Sequence, residues 1–336
     1  MKRKIKVAVL MGGKSAEHEI SLMTGREVVK NLDSRKYDIL PIVVSRDGIT
    51  WQIGQKEKFL LQPPAKRSQE TRVRSQSVSK TDQASIIKSN HVDIVFIAMH
   101  GPNGEDGTVQ GFLELLGVPY TGSKVLASAL GMDKVASRKI FKEAGLTVPD
   151  YQIARKGQKI SINIELPLFV KPHNQGSSVG TSFARDQKNL KKALNLAWQY
   201  SDLALVEEYI EGVEVTASIL GNESPRVLPL TEIVPKKDFF DYEAKYNENL
   251  CEEIIPARIS QQQTKKAQEA GLRAYKAIGC RGFGRVDIII KGNYIYVLEV
   301  NTIPGLTPVS LFPKAAEAAG ISYPKLLNTI INCANP

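Results

Sequence analysis

Gly282-Phe283-Gly284-Arg285-Val286-Asp287, running on to Leu298-Glu299-Val300-Asn301-Thr302, is the stretch on which the fold turns. It reads as two strands, residues 286–290 and 294–300, joined by a Lys291-Gly292-Asn293 turn. Strand side chains alternate with a period of two. Arg285 and Asp287 therefore share one face of the first strand, and Glu299 and Asn301 share one face of the second. Two carboxylates, an amide oxygen and a guanidinium then converge on one patch. Hard oxygen donors of this kind suit magnesium, which usually also holds substrate phosphates. The bland alternative is a solvent-facing strand pair with ordinary surface charges. The turn-rich loop Thr302-Ile303-Pro304-Gly305-Leu306-Thr307 leaves the polar end of the second strand and favours a site, because loops held on a rigid scaffold often carry function.

Upstream, a first unit spans residues 1–122. Strands are predicted at 7–11, 37–44, 92–99 and 118–120, and helices at 21–32 and 106–116, the latter ended by Gly117. Alternating strands and helices imply a parallel sheet with helices on its faces. Ligands of such sheets bind beyond the carboxyl ends of the strands, where Gly12–Glu19 and His100–Gly107 fall. Residues 62–90 interrupt the pattern with Ser, Gln, Lys and Arg and read as a surface insertion. A second unit, residues 123–207, opens on one helix over 124–144 and continues with strands at 168–172 and 203–209 around a helix at 189–200. The third unit, residues 208–336, holds strands at 213–220 and 227–233, a helix over 260–278 with Ser260 and Gln263 at capping-box spacing, and the acidic hairpin.

Lys171-Pro172-His173-Asn174-Gln175-Gly176-Ser177-Ser178-Val179-Gly180 follows a predicted strand directly. Its small residues let backbone N–H groups approach phosphate oxygens. It is not a P-loop, since the terminal Lys-Ser/Thr step is missing, and a glycine–serine turn is usually only a turn. Lys171 and Lys134 place two cations near it. Glu207 ends a strand and reads either as an exposed acid or as an acceptor for an adenine amino group, with Glu214 placed for ribose hydroxyls.

Composition narrows the classes. The chain has 336 residues, 42% hydrophobic and 24% charged, ordinary for a globular protein of two or three domains. Its net charge of +10 would attract anions, but it has no long Lys/Arg run and no aromatic–basic repeat, so nucleic acid is not an expected partner. The three cysteines have no CxxC spacing, which argues against a zinc site or a disulfide framework and for a reducing, cytoplasmic home. No apolar run is long enough for a signal peptide or a membrane span.

The motifs, taken in order, resemble D-alanine–D-alanine ligases of the ATP-grasp superfamily. The resemblance rests on Met11-Gly12-Gly13-Lys14-Ser15-Ala16-Glu17-His18-Glu19, His100-Gly101-Pro102-Asn103-Gly104-Glu105-Asp106-Gly107, Tyr120-Thr121-Gly122-Ser123, Met132-Asp133-Lys134, Gly176-Ser177-Ser178-Val179-Gly180, Asp241-Tyr242-Glu243-Ala244-Lys245-Tyr246, and the hairpin with Asn301-Thr302-Ile303-Pro304-Gly305. It implies an α/β, three-domain ATP-grasp architecture with an N-terminal parallel-sheet domain, and ATP gripped between the other two. By the same resemblance, Asp287, Glu299 and Asn301 hold two Mg²⁺, for which Mn²⁺ substitutes, and Lys134 and Lys171 meet the phosphates. Glu207, Glu214 and Phe239 meet the nucleoside, and Lys245 belongs to the same ATP-binding set. Glu17 and His100 contact the first substrate, Ser310 and Leu311 the carboxylate of the second. Arg285 and the Gly305 backbone face developing negative charge, while Ser177 and Tyr246 form a hydrogen-bonded group with Glu17. Residues 238–246 and the Gly176 loop close over the site. The implied reaction joins two D-alanines with ATP through an acyl phosphate, for peptidoglycan precursors, in a homodimer. A ligase taking D-lactate or D-serine second is the nearest rival. An oxidoreductase would want a GxGxxG turn after the first strand, which is missing.

Overall fold

The computed structural model describes residues 3–61, 83–159, 161–235 and 251–334. The N-terminal unit contains β1 (Ile5–Gly12), α1 (His18–Asn31), β2 (Tyr37–Val44), β3 (Trp51–Ile53), α2 (Lys56–Leu61), α3 (Gln83–Ser89), β4 (Ile94–Ile97) and α4 (Thr108–Leu116). Its sheet runs β3-β2-β1-β4. β1 is parallel to β2 and β4, as the strand–helix alternation predicts, and is fully buried over Val7–Met11. The edge strand β3 is antiparallel, so the sheet is mixed rather than parallel throughout. Residues 45–50 are too few for a crossover, which needs a dozen or more. They form a turn in which the Asp47 carboxylate accepts from the N–H groups of Ile49 and Thr50. The surface-insertion reading also needs correction at its end. Ile86 and Ile87 on α3 are buried in the N-terminal core, while residues 62–82 lie outside the described residues.

The helix predicted over 124–144 is two helices, α5 (Val125–Met132) and α6 (Lys134–Glu143). Asp133 between them is extended (φ −85°, ψ 100°), and its carboxylate accepts from the N–H groups of Val135 and Ala136. A short acidic side chain competes for exactly those orphan donors at a helix start, so the apolar spacing that runs through Asp133 does not carry the helix across it. The break puts Lys134 on the first turn of α6, with its backbone N–H bonded to the His173 carbonyl.

Two antiparallel sheets follow. The smaller comprises β5 (Tyr151–Arg155), β6 (Leu168–Pro172), β7 (Ser182–Ala184) and β8 (Leu203–Glu208), in the order β5-β8-β6-β7, with α7 (Gln187–Ala197) packing Leu190, Ala193, Leu194 and Ala197 into its core. The larger comprises β9 (Val213–Leu220), β10 (Arg226–Val227), β11 (Thr231–Pro235), β12 (Cys251–Ile254), β13 (Phe283–Lys291) and β14 (Tyr294–Asn301), in the order β12-β11-β9-β13-β14 with β10 on β9. It is covered by α8 (Gln261–Ala277), whose predicted capping box between Ser260 and Gln263 is formed. Close approach of α8 requires Gly271, where a Cβ would stand 2.8 Å from that of Ala217.

The hydrophobic clusters cut across the boundaries read from sequence. Phe141 of α6 joins the core of the larger sheet. The last two helices, α9 (Leu311–Ala318) and α10 (Tyr323–Ala334), bury Phe312, Leu326, Leu327, Ile330 and Ile331 in the N-terminal core. The chain thus returns to its first unit, and the loop before α9 is fixed from both sides.

Candidate active site

Hairpin register places the polar residues. Arg285 pairs with Asn301 and Asp287 with Glu299 across β13 and β14. Directly opposed residues share a face, so all four converge as the period-two reading predicts. Strict alternation then fails. The register shifts after Asp287, Ile288 pairs with Val297, and Leu298 is the extra residue of a bulge. This lets both Val297 and Val300 enter the core while Leu298 and Glu299 line the cleft. The Arg285 guanidinium forks onto Asp287, Nε to Oδ1 at 2.7 Å and Nη2 to Oδ2 at 2.8 Å.

The smaller sheet supplies the opposite wall of a cavity of about 210 Å³. Lys134 Nζ stands 3.0 Å from Glu299 Oε2 and donates to the Gln175 carbonyl at 2.8 Å. Lys171 Nζ is 2.7 Å from Glu207 Oε2. Glu207 is not an exposed strand end: it is 1% exposed. Its other oxygen accepts from Arg138 Nε at 2.7 Å, and Arg138, equally buried, also donates to the Val297 carbonyl. Burial alone would raise this carboxyl, but Arg138 and Lys171 hold it down at about 2. Arg138 was not singled out from sequence. Its signal was available, because it interrupts the apolar stripe of Val135 and Phe141 at helical spacing. Glu214 faces the same cavity and behaves oppositely: burial first, then the Asp287 carboxylate, raises it to about 7.

The glycine–serine loop approaches the N-terminal unit. Ser177 (φ 51°) and Ser178 (φ 57°) are both left-handed, a costly conformation for side chains other than glycine. This turn aims the Ser177 hydroxyl at Glu17 Oε1, to which it donates. A Cβ on Gly176 would lie 3.4 Å from Glu17 Oε2, so the loop's backbone sits close against that carboxylate. Glu17 precedes α1 without capping it; its carboxylate is spent on the loop instead. His100 is buried, with Nε2 2.9 Å from Thr24 Oγ1. Glu105, a further acid in the His100–Gly107 loop with no sequence-derived role, is buried, accepts from the Gly101 N–H at 2.7 Å, and lines a small cavity with Ser177, Lys134, Glu299 and Asn301.

Asn301 Oδ1 accepts from the Ile303 N–H at 3.2 Å, starting the turn that leads to Gly305. A Cβ on Gly305 would stand 2.9 Å from Ser310 Oγ, which itself lies 2.7 Å from Thr307 Oγ1. Leu311 opens α9 and lines the main cavity. Phe239, Lys245, Tyr246 and the 238–246 lid fall outside the described residues. Among the described residues no three His, Cys, Asp or Glu side chains cluster as a metal site; the predicted set has two carboxylates and takes an amide as its third donor. No helix among them is long and apolar enough to cross a membrane.

Two antiparallel sheets closing on a cleft of lysines, arginine and carboxylates define an ATP-grasp protein, a class of ATP-dependent ligases. Comparisons with known proteins narrow this. The profile described as "D-ala D-ala ligase N-terminus" matches residues 6–123, and "D-ala D-ala ligase C-terminus" matches residues 140–332. The chain is 44% identical over 335 residues to a D-alanine–D-alanine ligase of Desulforudis audaxviator, covering 98% of each. Among solved structures, it aligns with the D-alanine–D-alanine ligase from Coxiella burnetii at a TM-score of 0.82 and 29% identity, covering 98% of this chain and 94% of that one. It aligns with the VanG D-Ala:D-Ser ligase from Enterococcus faecalis at 0.81 and 34%, covering 99% and 100%. The chain belongs to the D-alanine–D-alanine ligase family.

Proposed function

We propose that this protein joins two D-alanine molecules at the expense of ATP, giving D-alanyl-D-alanine, ADP and phosphate for peptidoglycan precursors. We place it in the cytoplasm as a homodimer. The observation that carries the reading is the facing of Arg285, Asp287 and Glu299 on one hairpin surface toward Lys134 and Lys171 across a single cleft, with Asn301 paired opposite Arg285.

The chemistry is an encounter between anions. The first D-alanine carboxylate attacks the γ-phosphate and becomes an acyl phosphate; the second D-alanine's amine then attacks the acyl carbon and phosphate leaves. Lys134 and Lys171 reduce the repulsion between carboxylate and triphosphate. Glu207 and Glu214 accept from adenine and ribose, with Phe239 against the base and Lys245 in the same ATP-binding set. Glu17 holds the first substrate's ammonium, with His100 beside it, and Ser310 and Leu311 position the second substrate's carboxylate. Arg285 and the Gly305 N–H stabilise the tetrahedral species, a contact worth about 3 kcal/mol per donor. Acyl phosphates hydrolyse, so Ser177 and Tyr246, bridged to Glu17, hold the closing segments against water. The donor set of Asp287, Glu299 and Asn301 fits two Mg²⁺ or Mn²⁺, being all hard oxygen. The buried Thr216 hydroxyl on the wall of the same cavity, without a hydrogen-bond partner among the described residues, fits a hydrated ionic site too. When bound, such ions supply charge neutralisation and hold the phosphates in line.

The likeness to a D-Ala:D-Ser ligase keeps a second acceptor in view. Mass spectrometry of products from ATP, Mg²⁺ and a panel of D-amino and D-hydroxy acids decides between them. We expect D-alanyl-D-alanine to dominate at neutral pH. Preferential formation of the D-serine or D-lactate product would overturn the acceptor assignment, and no D-alanine-dependent ADP release would overturn the reading as a whole.

A further inference from the structure

Below the cleft, β9 lies against β13 with Thr216 opposite Asp287 and Ser218 opposite Arg285. On its other side β11 sets Thr231 opposite Thr216. A polar row therefore crosses four strands from Glu299 through Asp287 and Thr216 to Thr231. Thr216 is 3% exposed and lines the main cavity. Among the described residues, its Oγ1, like the hydroxyls of Ser218 and Thr231, has no hydrogen-bond partner. An unpartnered buried hydroxyl is destabilising, and valine would fill the same space on a strand without that penalty. Such a group calls for a reason.

We propose that Thr216 is a positioning residue for Asp287, its hydroxyl being the donor that holds this carboxylate when Arg285 turns to the reacting oxygens. The inference rests on the reading of Asp287 as a metal ligand. A carboxylate has about four lone-pair positions on two oxygens. Arg285 now takes one on each. A guanidinium cannot both keep that fork and aim at charge developing on a substrate. Metal-ligating carboxylates are themselves held by outer hydrogen bonds, so Asp287 needs another donor. Lys134 is engaged with Glu299 and Gln175, and Lys171 with Glu207. Thr216 stands directly across the ladder, where opposed Cβ atoms are about 4.5–5.5 Å apart, within reach of a hydroxyl that can take any of its staggered χ1 wells.

The test compares Thr216→Val, Thr216→Ser and Ser218→Ala with the unaltered protein. The readouts are Mn²⁺ affinity, by electron paramagnetic resonance with a non-hydrolysable ATP analogue, and the melting temperature without metal or nucleotide. Thr216→Val is expected to weaken Mn²⁺ binding about tenfold while leaving the melting temperature equal or higher. Thr216→Ser is expected to restore affinity to within about threefold and Ser218→Ala to leave it unchanged. Should valine prevent folding, Thr216→Ala takes its place. Unaltered Mn²⁺ affinity in a folded Thr216→Val or Thr216→Ala protein, or an equal loss in Thr216→Ser, would overturn the proposal. Asp287→Asn separates the two readings: if it leaves Mn²⁺ affinity intact, the ligand assignment itself has failed.

Discussion

Replacing Arg138 by methionine removes a fully buried cation from a fully buried carboxylate. The Glu207 carboxyl is held at about 2 against an ordinary 4.5. At ~1.4 kcal/mol per unit, that depression corresponds to about 3 kcal/mol of net folded-state stabilisation, what Arg138 and Lys171 leave after offsetting the cost of burying the carboxylate. Breaking a buried pair from one side costs about 3–5 kcal/mol; Lys171 remains, so Arg138→Met should lose about 3 kcal/mol at pH 7.5. A carboxyl depressed in the folded state contributes fully above its unfolded value and loses that contribution as pH falls through its folded value. The deficit of the variant should therefore be constant above pH 4.5 and shrink between pH 4.5 and about 2. The chain has two tryptophans, and Trp198 packs against the core of the smaller sheet that carries Glu207, so urea unfolding in a Trp51→Phe background reports the affected unit. Glu207→Leu added to Arg138→Met should recover most of the loss, because an apolar pair carries no stranded charge. An Arg138→Met protein within about 0.5 kcal/mol of its parent, with no recovery in the double variant, would refute the reasoning.

Glu299→Gln takes away the charged partner of Lys134 and, on the proposed reading, a metal-ligand charge; turnover should fall a hundredfold or more, and an unchanged rate would remove Glu299 from the metal set. Glu214 has a folded pKa raised from 4.5 to about 7, so its contribution to stability falls as pH rises through that window, and the penalty persists above it. Glu214→Gln should therefore melt higher than its parent at pH 8 without nucleotide or metal and no higher near pH 4.5; parallel melting curves across pH would contradict this. Tyr246→Phe should shift the choice between amine and hydroxyl acceptors, read as the product ratio across pH, and an unaltered ratio would exclude Tyr246 from acceptor selection.

How much of this was legible in the sequence depends on the range of the interaction. The hairpin face was readable because period-two alternation and a glycine turn are local, and the convergence of Arg285, Asp287, Glu299 and Asn301 follows from them. The bulge at Leu298 was less so: Val297-Leu298 breaks the alternation, but only the core it packs against decides which residue yields. Asp133 illustrates a local signal outweighed in a window count, since one capping side chain ends a helix that the apolar spacing would continue. The pairing of Arg138 with Glu207 joins residues far apart in sequence from a helix and a strand end. No spacing rule reaches it, and only the buried arginine in an apolar stripe hints at a distant partner. The unpartnered hydroxyl of Thr216 has no sequence signature at all, because threonine is an ordinary strand residue.

The cleft balances its own charges, and this bears on how it can be loaded. Lys134 holds Glu299, Lys171 holds Glu207 and Arg285 holds Asp287. Isolated charges in so sheltered a place would each carry a large desolvation penalty. A magnesium-bound triphosphate brings anionic oxygens and cations together, so each side chain can exchange one partner for another of the same sign. Partner exchange keeps every charge compensated, whereas a cleft lined by unpaired lysines would bind the nucleotide only after bearing the cost of its own repulsion. Glu214 has no such ion pair among the described residues, and its carboxyl is the one raised, by burial and by the neighbouring Asp287. Cations arriving at Asp287 and Glu299 would remove part of that repulsion and favour the ionised form of Glu214, the form that accepts two hydrogen bonds from a ribose. On the proposed reading, nucleotide recognition at Glu214 and metal recognition at the neighbouring Asp287 would then be one electrostatic event within the same cleft.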